Sequence, residues 1–391
     1  MKREAIAAIV GLGLSELGRD PIGVPRTLAG DAVRAAIVDA GLPSSMIDGL
    51  LLNSSALADR NVLPLRLQDD LGLGELRLLS TVDGKGASVL QMVQMATLAI
   101  RQGMATAVAC VFADAPLGAT KSAGEAFGAA SSLTPIAGWD SQYGLFGPVG
   151  GYAMLGMRYL DAYAIEPRHF GAHVLACRKW AVRNPQAFLR TPLTLDDYLA
   201  ARMIAEPFRV LDCAYPVNGA GAVVVAGIET AAAAAGPGVY VHGMGQGHAR
   251  TALLRSHEPT GTSAARSAGA AAFEMAHASA AEVTQCQFYD AFSYCAIAAL
   301  EDYGICAPGT ALGFVADGHT APGGRLPVNT GGGQIAGFYL QGMTPLAEAV
   351  IQGRNLGGER QARNDLILVN GSGGLLEHHA TLLLSPHRVL D

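Results

Sequence analysis

Three segments of this chain carry residue types that do chemistry at turns: Asp83-Gly84-Lys85-Gly86-Ala87-Ser88, Tyr289-Asp290-Ala291-Phe292, and the run from Pro327 to Gly342 with Asn329, Gly331, Gly332 and Gly333. Glycine permits positive φ and lets a second backbone come close. Where such a turn opens a helix, bare backbone N–H groups can bind an oxyanion or a phosphate. The first segment runs directly into the apolar stretch 87–102, and the third leads to Thr344-Pro345, with proline at a first helical position. Taken singly, a structural turn explains each segment as well as an oxyanion site does.

Other motifs are weak or missing. Gly11-Leu12-Gly13 follows a strand-like stretch, but Glu16 stands where the GxGxxG fingerprint needs its third glycine. GxSxG, HExxH and P-loop patterns do not occur. The six cysteines, Cys110, Cys177, Cys213, Cys286, Cys295 and Cys306, show no CxxC spacing, so neither zinc nor a disulfide framework is expected. His378 and His379 are adjacent and would point to opposite sides of a strand, a packing pattern rather than a metal site. The expectation for metal is none.

These turns need elements to hold them. Ala5–Val10, Ala107–Phe112 and Ala220–Ala226 read as buried strands, and Leu28–Ala40 as a helix stopped by Gly41. The stretch 87–102 is apolar nearly all round, which predicts a helix enclosed by other layers. Residues 115–206 are punctuated by Gly, Ser and Pro and read as a long inserted loop region. A second half follows a linker at Gly236-Pro237-Gly238: strands at Val239–His242, Cys286–Tyr289, Leu366–Val369 and Ala380–Leu384, with helices at 267–280, 292–303 and 344–352. The plan is two α/β halves, 1–228 and 237–391, each with a glycine turn before a buried helix.

Composition fits a large folded α/β protein. Of 391 residues, 50% are hydrophobic and 15% charged, which excludes a disordered chain. A net charge of −6 offers no basic field to nucleic acid. Mean hydropathy is +0.27, yet no apolar run approaches the roughly 18–20 residues of a membrane span. Met1-Lys2-Arg3 and the apolar stretch after it resemble a leader, but Gly11 and Gly13 break it and no cleavage site follows. It reads as a first strand, and a cytoplasmic location is expected.

Together the turns resemble the thiolase superfamily, in particular its sterol-carrier-protein-type thiolases and thiolase-like proteins, nearly end to end. The segment from Asn329 to Gly342 follows the family's NxxGGxxxxGHPxG spacing, and Asn218-Gly219-Ala220-Gly221-Ala222 and Leu300-Glu301 with Gly304 resemble further family segments. The resemblance implies a layered α-β-α-β-α fold. It also implies that Gly86 stands where the family has its nucleophilic cysteine, Tyr289 where it has the first residue of its H/N-[DE]-x-F motif, and Tyr339 where it has the histidine of GHP. The family's second cysteine would align near Asn370.

An acyl-enzyme at Gly86 is impossible, so thiolysis through a covalent intermediate is closed. Glycine turns that hold a thioester enolate and two phenols at acid/base positions remain. That set can cleave a β-hydroxyacyl-CoA by retro-aldol reaction, without a nucleophile. The branch of thiolase-like aldolases in steroid side-chain degradation has tyrosines at both positions. The implied site is therefore Tyr289, Tyr339 and Asp290 as catalytic residues, with Gly86, Asn329, Gly332, Gly333, Asn370 and Gly371 binding substrate or oxyanion. No permanently bound cofactor is expected; coenzyme A enters as part of the substrate. The resemblance further implies a homodimer and a small OB-fold, zinc-ribbon partner protein. The alternatives are a thiolase-type acyltransferase and a non-catalytic acyl-CoA-binding subunit.

Overall fold

Apolar strands that alternate with helices along the sequence form one mixed sheet with helices against it. The computed structural model describes residues 3–53, 63–118, 139–145, 147–249 and 263–390. Its main strands are β1 (Ala7–Leu14), β2 (Ile47–Asn53), β3 (Leu78–Val82), β4 (Ala107–Asp114), β5 (Gly219–Ala226), β6 (Val239–His248), β7 (Gln285–Gln287), β8 (Ile367–Gly373) and β9 (His378–Ser385). They join in the order β7-β8-β9-β6-β1-β5-β4-β2-β3. The strands of the two halves form one continuous sheet, because Ala7–Ile9 of β1 pairs antiparallel with Val239–Val241 of β6.

The halves repeat one topology. In the run β2-β4-β5-β1 the successive pairings are parallel, antiparallel and antiparallel. In β7-β8-β9-β6 they are the same. Each half also seats a helix on glycines of its first strand. Helix α1 (Pro25–Ala40) lies so close to β1 that a Cβ at Gly11 or Gly13 would sit 2.2 Å from a helix carbonyl oxygen. The helix at Ala265–Ala276, named α5 below, lies equally close to Gly243 and Gly245 of β6, at 2.1 Å. The Gly-x-Gly of β1 is a packing device, which explains why its fingerprint is incomplete.

Two more helices carry the site. Helix α2 (Ser88–Arg101) touches strands of both halves, as does α7 (Met343–Gly353), and the two helices touch each other. All of α7 is buried except Ile351. Helix α2 departs from the expected full enclosure: Met95 and Leu98 are 39% and 51% exposed.

The insertion is not the loop region the sequence suggested. Residues 119–138 lie outside the described residues, but beyond them stand α3 (Pro148–Ala162) and α4 (Gly171–Val182). Tyr152, Leu155 and Tyr159 of α3, with Phe170 just before α4, join Phe288, Phe292 and Tyr294 in a single apolar cluster. Aromatic burial of this size holds the segment in regular structure despite its glycines and prolines. Helix α5 and the helix after β7, α6 (Ser293–Asp302), complete the second half. Among the described residues, no helix is long and apolar enough to cross a membrane.

Candidate active site

The sequence predicts a strand up to Tyr289, but β7 ends at Gln287. The next three residues turn away because side-chain amides take their backbone N–H groups. Phe288 N–H donates to Asn329 Oδ1 at 2.7 Å, Tyr289 N–H to Asn370 Oδ1 at 2.8 Å, and Asp290 N–H to Gln334 Oε1 at 3.0 Å. All three amide residues are at most 1% exposed. Buried backbone donors must be paired, so this clamp fixes the course of the turn. Asn329 adopts φ +53, and Gly332 and Gly333 have φ +97 and +63, at the start of a wide π-helical turn over Gly333–Gly337.

The clamp aims two phenols at each other. The hydroxyls of Tyr289 and Tyr339 lie 2.8 Å apart, with their rings edge to face. Tyr339 is held by its own backbone, whose N–H donates to Tyr215 carbonyl at 2.9 Å. Tyr289 is 6% exposed, whereas Tyr339 keeps an accessible edge. Burial raises both phenol pKa values. Tyr339 is pushed up to about 12, with the Tyr289 hydroxyl pulling it back down; Tyr289 lies well above its ordinary value, through burial and then its phenolic neighbours.

Gly86 lies against this pair, at the turn that leads into α2. A Cβ on Gly86 would sit 2.5 Å and 2.7 Å from Cε2 and Cζ of Tyr289 and 2.0 Å from the Ser372 carbonyl oxygen. Gly371 and Gly342 close the same corner: a Cβ on either would lie 2.7 Å or 2.6 Å from the Gly86 carbonyl oxygen. Gly84 N–H donates to Ser88 Oγ at 2.8 Å, which fixes the helix start.

The structure thus gathers Tyr289, Tyr339, Gly86 and Gly371 at one corner. The other predicted residues surround it differently. Asn329 and Asn370 spend their side-chain oxygens on the clamp, and Gly332 N–H donates to the Asn329 carbonyl at 2.8 Å. Gly333 faces Asp290, whose Oδ2 would lie 2.2 Å from a Cβ there. Asp290 turns away from the phenols: Oδ1 accepts from Gln334 N–H at 2.7 Å, and Oδ2 lies 3.2 Å from His173 Nε2 and 3.7 Å from Cys177 Sγ. A cavity lined by Gln287, Phe288, Asn329, Gly333 and Glu348 lies behind the glycine turn, and neither phenol lines it.

Sequence reasoning missed several neighbours. Tyr152 of α3 is 2% exposed, donates to the Gly374 carbonyl at 2.7 Å and packs on Phe292 at 4.7 Å between ring centres. Cys295 is 3% exposed, and burial pushes its thiol up to about 12. Nothing in the local pattern marks either residue, since only the fold brings α3 and α6 to this corner. His173 and Cys177 carried a faint signal, a His and a Cys four apart on a helix, which puts both on one face.

Chemically, the corner joins two neutral phenols at hydrogen-bond distance to a helix start and carries no thiolate. It can move protons and hold an oxyanion, but it offers no nucleophile at Gly86.

Comparison with known proteins agrees with this geometry. Residues 245–386 match the family described as Thiolase C-terminal domain-like. The chain is 33% identical to a "Steroid side-chain-cleaving aldolase" of Thermomonospora curvata, over 88% of this chain and 89% of that protein. It is 32% identical to a "17-hydroxy-3-oxo-4-pregnene-20-carboxyl-CoA lyase" of Mycobacterium tuberculosis, over 94% and 97%. Among solved structures, the "Ltp2-ChsH2(DUF35) aldolase" superposes with a TM-score of 0.88 at 31% identity, covering 97% of each chain. The human mitochondrial 3-ketoacyl-CoA thiolase shares the fold at TM-score 0.70 and 14% identity, with 98% of this chain and 99% of that one covered. On this identity and coverage, the chain belongs to the thiolase superfamily, among its thiolase-like aldolases.

Proposed function

We propose that this enzyme cleaves a β-hydroxyacyl-CoA ester by retro-aldol reaction, and that its acyl group is a steroid side chain. The observation that carries the reading is the 2.8 Å contact between the Tyr289 and Tyr339 hydroxyls beside Gly86. The reaction needs one proton taken from the β-hydroxyl and one given to Cα. As the Cα–Cβ bond breaks, its electron pair becomes the thioester enolate, and the hydroxyl-bearing carbon becomes a carbonyl. Two linked phenols can do both jobs without ionising. The accessible Tyr339 accepts the hydroxyl proton and passes its own to Tyr289, which returns a proton to Cα. A relay of this kind suits phenols whose pKa values lie far above neutrality.

We assign enolate stabilisation to the glycine turns around Gly86 and Gly371, with Gly333 seating the Asp290 carboxylate behind them. Asn329, Asn370 and Gly332 shape the turn that carries Tyr289, and Asp290 positions it from behind. Preorganised donors of this kind are worth roughly 3–4 kcal/mol. No permanent cofactor is needed; coenzyme A arrives as the substrate's handle. The substrate assignment is supported by the names of the two relatives that span most of the chain. The division into halves 1–228 and 237–391 is supported by the repeated order of strand pairings.

We further assign a homodimer, supported by the exposed Met95 and Leu98 on the mostly buried α2, and a small OB-fold, zinc-ribbon partner, supported by the likeness to the "Ltp2-ChsH2(DUF35) aldolase". The six cysteines are all free, which suits a cytoplasmic enzyme.

Incubation with a panel of β-hydroxyacyl-CoA esters, followed by mass spectrometry, tests the reading. A carbonyl product and a shortened acyl-CoA, formed without added coenzyme A, are expected. Cleavage only when free coenzyme A is added would favour an acyltransferase. Tight binding with no turnover, with the partner protein present, would favour a carrier subunit.

A further inference from the structure

Behind the phenols, three unlike side chains converge on one point. His173 and Cys177 lie one turn apart on α4, and Asp290 faces them from the clamped turn. The edges of the triangle are 3.2 Å from His173 Nε2 to Asp290 Oδ2, 3.5 Å from Cys177 Sγ to His173 Nε2, and 3.7 Å from Cys177 Sγ to Asp290 Oδ2. All three residues are at most 1% exposed.

Two features separate this cluster from a catalytic triad or a chain of hydrogen bonds. A relay uses both ring nitrogens of its histidine, one for each partner. Here the same Nε2 faces both the sulfur and the carboxylate, although it carries at most one proton. In addition, the Asp290 carboxylate is buried with no lysine or arginine among its described hydrogen bonds and ion pairs, so its charge lacks a fixed cation.

A metal ion resolves both features. Zinc binds Cys at about 2.3 Å, His at about 2.0–2.1 Å and a carboxylate at about 2.0–2.2 Å, in tetrahedral geometry. Those bonds set ligand atoms roughly 3.3 Å (N to O) and 3.5 Å (S to N and S to O) apart. The three observed edges follow this pattern. The supporting contacts are in place too: Asp290 Oδ1 accepts from Gln334 N–H, which aims Oδ2 at the centre. Gly333 packs its bare backbone against Oδ2, where a Cβ would lie 2.2 Å away, so no side chain of residue 333 competes for that oxygen.

We propose that His173, Cys177 and Asp290 form a buried site for one divalent cation of borderline softness, zinc or its cobalt substitute. The ion joins α4 of the insertion to the turn that carries Tyr289. It lies behind the reacting corner and takes no part in the proton relay. With every ligand buried, it enters as the chain folds.

Protein produced in cells grown with cobalt(II) in place of zinc tests this directly. One equivalent of cobalt per chain is expected, with a thiolate-to-cobalt band in the near ultraviolet and the visible absorption of a tetrahedral ion. Cys177→Ser should lose the ultraviolet band, and His173→Gln should lose most of the metal, with circular dichroism showing that both stay folded. Should a variant fail to fold, the spectrum of the parent still decides whether a thiolate binds the ion. A parent that emerges with under a tenth of an equivalent of cobalt or zinc overturns the proposal, as does bound metal without a thiolate band. In either case the cluster is a plain hydrogen-bonded pin.

Discussion

The Cβ that Gly86 lacks would lie 2.5 Å from Cε2 of Tyr289. The ring of Tyr289 and a side chain at position 86 therefore exclude each other: the ring stands where the side chain of a cysteine at 86 would have to go.

That relationship makes Gly86→Cys informative. A cysteine there cannot restore thiolase chemistry, because its side chain meets the Tyr289 ring and the Ser372 carbonyl oxygen. Overpacking of this kind costs about 1–3 kcal/mol. We expect a lower urea midpoint, an aldolase rate reduced about tenfold or more by the displaced phenol, and no thiolysis. A Gly86→Cys enzyme that thiolyses a β-ketoacyl-CoA would show that the ring is not the obstacle.

Activity should not depend on a thiol. Burial raises the five cysteines outside the proposed metal site; Cys213 and Cys295 are pushed up to about 12 and Cys306 to about 11. Only the thiolate attacks an alkylating agent, and at neutral pH almost none is present. Iodoacetamide at neutral pH should inactivate slowly and at the same rate with or without substrate. Rapid inactivation that substrate prevents would return the acyltransferase reading to first place.

Much of this was legible in the sequence, and the limits have physical causes. The glycine turns and the helix at α2 follow from local pattern and spacing, and Tyr289 and Tyr339 stand out through the resemblance to the thiolase superfamily. Phe288 and Tyr289 read as strand in the sequence because they continue its apolar run, while the amides that bend the 288–290 turn come from residues 329, 334 and 370. Helices α3 and α4 were misread as loop because glycines and prolines weigh on propensity, whereas tertiary burial of Tyr152, Tyr159 and Phe170 decides. Asp290 looked like a partner of the phenols by adjacency alone, but side chains next to each other on an extended turn diverge, and its carboxylate meets α4 instead.

Stability should fall in mild acid through His379. Burial and the neighbouring His378 hold its folded pKa at about 3, against 6.5 for the free side chain. Between those values the unfolded chain binds the proton and the folded one does not, so stability is complete above about pH 6.5 and declines as pH drops towards 3. The slope approaches about 1.4 kcal/mol per pH unit within that window. Urea midpoints at pH 7 and pH 5 should differ less in His379→Gln than in the parent. Equal differences would mean that His379 is not the buried base responsible.

The most direct test of the phenol pair removes one oxygen at a time. Tyr289→Phe and Tyr339→Phe delete a hydroxyl and almost no volume, so packing changes little. A purely structural hydrogen bond of this kind is worth about 1 kcal/mol of stability and would leave turnover near normal. The measurement is kcat for carbon–carbon cleavage of a β-hydroxyacyl-CoA that the parent enzyme accepts, alongside binding of the same ester. We expect each variant to bind the ester and to turn it over about 10² times more slowly or worse. Near-parental kcat in both variants would contradict the phenol relay.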